Sequence, residues 1–462
     1  MRWVLAICLI IVVLPGIVMY ASRSFPSGTE QYYHVRVANL FSSFLPISHF
    51  FVIDAMTFAG KNIVWTPFYG LTALSLQVFS WRDSLYILPI LMMLLSVILL
   101  YVLLQKEGFS SLQCALCVLV FTASPAVVYL ETHWTPSAFA IPLLLAGVLV
   151  LRKQRVLSTL LFGVVAWLGI IPSLVCLGVL WAYGLLRKVN VVIQWSFVLL
   201  ILLANFFAGV IVSTAGKTST IIADLGGIYG FSSFALLLGI LGLTKVWHRR
   251  TQHVQVHALI VATFCIAIIV PELLPFLNIV LAIFAGLGID ELIHREWDLP
   301  SLKYITLVVL GCGLLFSGLS HVFLVINESP SMNVVTGLVG LSDRPVGSVL
   351  SSESNGFMIE LLSKKTVLTD SFTGHSSEGA RAIALSYEAL HSSSVDELIK
   401  VLRIAGIKYI VITSDMYESV WEKHGEGLDF VVHNSDVFRR KFGNDEIEIW
   451  EYVPLVSTKK SV

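Results

Sequence analysis

Residues 303–330 read KYITLVVLGCGLLFSGLSHVFLVINESP. Between Lys303 and Glu328 there is no Asp, Glu, Lys or Arg. A helix needs roughly 20 mostly apolar residues to cross about 30 Å of hydrocarbon, so 303–325 reads as a membrane span. At Asn327-Glu328-Ser329-Pro330 the chain returns to water. Upstream the apolar pattern recurs many times; downstream it stops.

Composition agrees with that division. The 462 residues are 56% hydrophobic and 13% charged, against roughly 25% charged in ordinary soluble domains. A water-soluble globule of this size is excluded. Lys+Arg and Asp+Glu are both 30, so no net field favours nucleic acid. Cys8, Cys114, Cys117, Cys176, Cys265 and Cys312 all fall in apolar stretches. Even the Cys114-x-x-Cys117 pair, flanked by Ala115, Leu116 and Val118, reads as packing rather than as a redox or metal motif.

Eleven spans are expected, near 3–20, 85–104, 110–129, 136–151, 156–171, 173–186, 191–212, 228–246, 255–271, 274–293 and 303–325. The first is read as retained, because a long apolar run follows Arg2 with no small-residue cleavage site. Cytoplasmic loops keep Lys and Arg. Lys106, the Arg152/Lys153/Arg155 cluster, Arg187/Lys188 and Arg249/Arg250 share one side if the N-terminus is cytoplasmic. The C-terminal part is then extracytoplasmic, as are 21–84, 130–135 and 213–227. This requires 66–80 (TPFYGLTALSLQVFS) to lie in the interface rather than to cross. The expected fold is a polytopic α-helical membrane protein, residues 1–325 with a large external loop 21–84, in a multi-pass cell-membrane arrangement.

From about Asn327 the composition turns to Ser, charged residues and short apolar runs. SVLSS (348–352), TVLTD (366–370), YIVIT (409–413), FVVH (430–433) and EIEIWEY (446–452) read as strands. Residues 394–405 read as a helix with Ser394 and Glu397 at capping-box spacing. Strand and helix alternate, so 326–462 is expected to be an extracytoplasmic α/β domain. Asp370 and His375 near a strand end read as a solvated loop.

The chemistry concentrates in two external loops. The first holds Gly28-Thr29-Glu30-Gln31-Tyr32-Tyr33-His34-Val35-Arg36, a carboxylate, an imidazole and a guanidinium within seven residues. The second holds Glu131-Thr132-His133-Trp134 after Ser124-Pro125, with acid and imidazole two apart on an extended segment where both face one cation. Interfacial charges and an aromatic belt account for either loop alone. Two such loops on the same face point to a site.

The segment Glu30 to Arg36 resembles the acid-x-aromatic-Tyr-His-x-Arg signature of archaeal oligosaccharyltransferase catalytic subunits and their GT-C glycosyltransferase relatives. Ile53-Asp54 through Gly60-Lys61, then Trp65-Thr66-Pro67-Phe68-Tyr69, resembles the continuation of that loop. Ser124-Pro125 to Glu131-Thr132-His133 resembles the second acidic motif. The resemblance covers roughly residues 1–150 in order and spacing, and the span-plus-ectodomain layout covers the rest. It implies an archaeal source, a polyprenyl (dolichyl) phosphate-linked sugar donor, and a lipid, glycan or protein acceptor. By it, Glu30 is the catalytic base and a metal ligand, Glu131 and His133 complete a Mn or Mg site, and His34 and Arg36 hold the lipid phosphate. The first acid is Glu where the family has Asp, and the Trp-Trp-Asp-Tyr-Gly acceptor motif is absent from the chain. That favours transfer of a single sugar over oligosaccharide transfer to Asn. A lipid-linked-sugar flippase is the competing class, and it would show paired internal repeats and polar, broken spans.

Overall fold

The computed structural model describes residues 2–22, 25–42, 51–54, 56, 61–187, 190–207, 222–225, 230–247, 254–373, 377–421 and 425–453. Thr57 to Gly60, Lys188, Arg249, Arg250, His375 and most of the 213–227 loop lie outside them. The chain divides into two compact units, one from Met1–Ser27 with Thr66–Ser329, the other from Gly28–Trp65 with Pro330–Val462.

The first unit is helical: α1 (Arg2–Ala21), then, after α2 (Thr29–Ser42) of the other unit, α3 (Pro67–Val78), α4 (Trp81–Lys106), α5 (Ser111–Thr122), α6 (Pro125–Thr132), α7 (Pro136–Val150), α8 (Arg155–Ala166), α9 (Ile170–Arg187), α10 (Val192–Phe207), α11 (Ser233–Trp247), α12 (Val254–Ala267), α13 (Leu274–His294) and α14 (Pro300–Asn327). Among the described residues, Trp81–Lys106, Ile170–Arg187, Pro271–His294 and Pro300–Ser342 are long and apolar enough to cross a membrane, and α5 with α6 would make a fifth as a broken span. Six further apolar helices are shorter. On α14, Val308, Phe316 and Phe323 are exposed while Ser317, Gly318 and His321 are buried. That apolar outward face suits lipid.

Glycines set the closest helix crossings. A Cβ on Gly242 of α11 would strike the Phe284 carbonyl, and one on Gly288 of α13 would strike the Leu238 carbonyl. These helices therefore touch backbone to backbone, as small residues permit in a bilayer. Gly286 stands likewise against Cys117, and Gly318 against the Ala123 carbonyl. Cys114 and Cys117 are buried, their thiols 3.7 and 3.6 Å from the Phe109 and Ile283 carbonyls, which is a packing role.

The expected span 110–129 is broken. Pro125 occupies the first turn of α6, and the residue before a proline is pushed to extended conformation. Ser124 accordingly has φ −76 and ψ 137, and α5 and α6 meet at 62°.

The second unit opens with α2 and the antiparallel pair β1 (Phe51–Asp54) and β2 (Lys61–Val64), in which Asp54 faces Lys61. It continues with α15 (Met332–Ser342), β3 (Ser348–Leu350), α16 (Gly356–Ser363), α17 (Ser377–His391), α18 (Val395–Ile404), β4 (Ile407–Thr413), α19 (Met416–Ser419), α20 (Gly427–His433), β5 (Phe438–Gly443) and β6 (Ile447–Tyr452). The sheet order is β3-β4-β6-β5, with β3 and β4 parallel and the other pairs antiparallel. Its core gathers Leu350, Leu402, Ile410, Ile412, Leu428 and Trp450.

Three local expectations need correction. FVVH is helical: Leu428, Val431 and Val432 are buried while Phe430 is half exposed, the i, i+3, i+4 pattern of a helix face. TVLTD contributes one bridge, Val367 to Val349, rather than a strand. Ser394 is the N-cap of α18, but its side chain makes no capping bond; the capping box is at Ser110 and Gln113 of α5.

Candidate functional site

Both expected loops fold as helices, and each falls in a different unit. In the second unit Gly28, at φ +83, turns the chain into α2. Glu30 lies in its first turn, partly exposed, where the helix dipole favours a carboxylate. One turn on, His34 is buried at 6% exposure and Arg36 at 5%. Arg36 reaches Glu360 of α16 at 2.9 Å, a pair whose carboxylate side chain is fully buried. Its guanidinium also lies 5.6 Å from the Tyr33 ring centroid, and Tyr33 packs on Phe357 and Phe372. Met56 accepts a hydrogen bond from the Val367 amide at 3.0 Å. The segment 28–65 is thus stitched into the C-terminal sheet domain. Burial drives the His34 pKa down to about 3, so its imidazole is neutral at physiological pH and a donor through one nitrogen only.

In the first unit, the break at Ser124 aims α6 so that its last turn carries Glu131 and its C-cap is His133. The pair sits at a helix end, not on an extended segment. The Tyr129 carbonyl, which can only accept, is 3.1 Å from His133 Nδ1, so Nδ1 carries the proton and Nε2 presents a lone pair. Ser27 Oγ is 3.2 Å from that Nε2. The ring stacks on Tyr129 at 4.0 Å between centroids. Trp134 is fully buried, its indole N–H donating to Thr72 at 2.8 Å and its ring stacked on Phe68, so it is no interfacial belt residue.

Glu131 is fully buried near the Gly16 backbone, and neither carboxylate oxygen has a hydrogen bond of good geometry. A buried carboxylate in that condition needs a proton, water or a cation. Two further polar side chains packed against the same helix system escaped the sequence reading. Asn278 of α13 accepts from Ser124 at 2.8 Å and leaves its amide nitrogen unsatisfied. His321 of α14 is 3% exposed with Nε2 unsatisfied. Each is an isolated polar residue in an apolar run, which is the signal that finds them. Glu360, the lone charge in the buried helix GFMIELLS, carries the same signal.

The implied metal fits these residues in part. Glu131 offers two unsatisfied oxygens, and His133 Nε2 offers a lone pair once the Ser27 hydroxyl gives way. Among the described residues no group of three or more His, Cys, Asp or Glu side chains forms a metal-ion ligand set. Glu30 belongs to one unit, and Glu131 with His133 to the other.

No family model matches the chain, and no curated protein does. Solved structures do. An oligosaccharyltransferase of Archaeoglobus fulgidus in complex with Zn and sulfate superposes with a TM-score of 0.60 at 12% identity, over 97% of this chain and 74% of that one. ArnT from Cupriavidus metallidurans bound to undecaprenyl phosphate gives 0.57 at 11% identity, over 98% of both chains. The arabinofuranosyltransferase AftD from Mycobacteria gives 0.58 at 14% identity, over 97% of this chain and 41% of that one. All three are GT-C glycosyltransferases. At these identities the similarity is one of fold: the chain has the GT-C architecture, a multi-helix membrane body with a small C-terminal sheet.

Proposed function

We infer that this protein is a membrane glycosyltransferase that moves one sugar from a polyprenyl phosphate donor to an extracytoplasmic lipid, glycan or protein acceptor. The observation that carries the reading is Glu131, a carboxylate buried within a GT-C body with no hydrogen bond of good geometry to either oxygen. Stability gives no reason to keep such a group; a reaction centre does.

The topology that goes with this reading has eleven spans, a cytoplasmic N-terminus and an extracytoplasmic C-terminal domain. The lipid tail of the donor stays in the bilayer while its phosphate meets the outer face. Glu30, partly exposed on α2, accepts the proton of the attacking hydroxyl or amide. The acceptor atom bonds to the anomeric carbon from the face opposite the phosphate, the carbon–oxygen bond to phosphate breaks, and the electron pair leaves on the polyprenyl phosphate. The anomeric configuration inverts. Arg36 keeps a fixed orientation through Glu360 and, with neutral His34, is the group assigned to the lipid phosphate. Glu131 and His133 would be the residues to hold Mn or Mg, with Glu30 as the further ligand that the resemblance implies, and the ion would supply positive charge for the leaving phosphate. Absence of the Trp-Trp-Asp-Tyr-Gly motif argues for a single-sugar transferase over oligosaccharide transfer to Asn.

The test presents labelled polyprenyl-phosphate sugar to membranes carrying the wild type, Glu30→Gln or Glu131→Gln. Transfer should fall at least about a hundredfold in each variant, within the range general acid–base and electrostatic groups contribute. Transfer at the wild-type rate by both would remove the mechanism.

A further inference from the structure

The C-terminal domain holds a cavity that the transferase reading does not use. It lies at the carboxyl end of β4, between α20 and the β5–β6 hairpin, with a volume of about 560 Å³. Small-ligand pockets span about 300–1,000 Å³.

The walls are polar and fixed by one another. Asp429 accepts from the Tyr417 hydroxyl at 3.0 Å and from the Gly425 amide at 2.7 Å. The His433 ring bridges two acids, 3.2 Å from Asp429 and 3.1 Å from Glu448. Glu448 also takes the Arg440 guanidinium at 2.8 Å and the Trp450 indole N–H at 3.0 Å. Arg440 folds across Gly443, and any side chain at 443 would occupy the space of its guanidinium. Such mutual bracing removes rotamer freedom before a ligand arrives.

The lining selects a ligand class. Asp429, Asp445, Glu446 and Glu448 outnumber Arg440 and His433, so the lining disfavours a phosphate. The Asn434 amide nitrogen donates to the Phe430 carbonyl at 2.8 Å and the Asn444 amide oxygen accepts from the Glu446 and Ile447 amides at 2.9 Å, which leaves the Asn434 oxygen, the Asn444 nitrogen and the Ser414 hydroxyl to the cavity. At its edge Phe430 offers an aromatic face that is 50% exposed. The Ser414 hydroxyl, the Asn434 amide oxygen and the Asn444 amide nitrogen, with the half-exposed Phe430 beside them, suit a neutral ring that carries hydroxyls.

We propose that this cavity is a saccharide-binding site that takes a single uncharged pyranoside of a glycan. It does not depend on the transferase centre. The test uses the full chain in phosphatidylcholine nanodiscs free of glycolipid. Saturation-transfer NMR is run with methyl α-mannopyranoside, methyl β-glucopyranoside, methyl β-galactopyranoside and N-acetylglucosamine, with inorganic phosphate and trilysine as controls. At least one pyranoside should show transfer, reduced threefold or more in each of Phe430→Ala, Arg440→Gln and Gly443→Ala. Tyr387→Ala, exposed on α17 and outside the cavity lining, should leave it unchanged. Phe430 is half exposed, so its variant keeps the comparison valid if Arg440→Gln fails to fold. No transfer to any pyranoside, equal transfer in the cavity variants, or binding of trilysine alone overturns the proposal. Transfer lost in Glu131→Gln but kept in Phe430→Ala would put the sugar at the transferase centre and overturn it equally.

Discussion

Removing the Glu360 carboxylate should loosen the C-terminal domain more than any other single charge change in it. In Glu360→Ala the Arg36 guanidinium, 5% exposed and 2.9 Å from the lost carboxylate, is left buried without its anion. Breaking a buried pair in this way costs about 3–5 kcal/mol. In a domain of this size each kcal/mol lowers the melting temperature by about 2–4 °C, so a fall of about 10 °C is expected. Trp421 and Trp450 both lie in the core of this domain, so intrinsic fluorescence in detergent reports its unfolding. The double variant Arg36→Met with Glu360→Leu removes both charges and should recover most of the loss, because apolar replacement of a buried pair is often neutral or better. If Arg36 also holds the donor phosphate, that recovered protein should still transfer sugar poorly. A melting temperature within 2 °C of wild type for Glu360→Ala would refute the reasoning, since the pair would then be open to water.

His34 is neutral in the folded state, with its pKa near 3, and titrates near 6.5 when unfolded. Its contribution is intact above pH 6.5 and is lost as pH falls towards 3, at up to about 1.4 kcal/mol per pH unit. His34→Gln should flatten that part of a urea-midpoint profile, and an unchanged slope counts against burial. Gly288→Ala should separate α11 from α13, because the clash is with the Leu238 carbonyl rather than with a side chain able to swing away; it should cost about 1–3 kcal/mol as overpacking does, read as detergent thermal stability, while Gly311→Ala, with open space around it, should be neutral. If Glu131 and His133 hold a metal, chelation should lower transfer at least tenfold and Mn should restore it, whereas Glu131→Gln should be insensitive to both.

The membrane character was legible because it rests on composition and run length, and those survive any rearrangement of contacts. Most helix positions followed from the same runs. The break at Ser124 was also written in the sequence, since Ser124-Pro125 inside an apolar run forces an extended residue, yet hydropathy alone averages across it. FVVH misled because β-branched residues favour strands locally, while tertiary packing of Leu428, Val431 and Val432 chose a helix. β5, FRRKFG, alternates too little to read as a strand and exists because β6 pairs with it. For the candidate site, the residue types at 30–36 and 131–133 were visible, but their partners were not. Glu360 lies more than 300 positions from Arg36, and nothing local links the two.

The domain that carries the sheet is assembled from two stretches separated by residues 66–329. During synthesis residues 28–65 emerge first, yet α16 with Glu360 and the Val367 amide that meets Met56 are not made until nearly 300 residues later. At about 5–20 residues per second, that early segment waits roughly 15–60 s with Arg36 and Tyr33 uncovered. A ribosome stalled anywhere before residue 360 therefore leaves a half-domain for quality-control proteases to find.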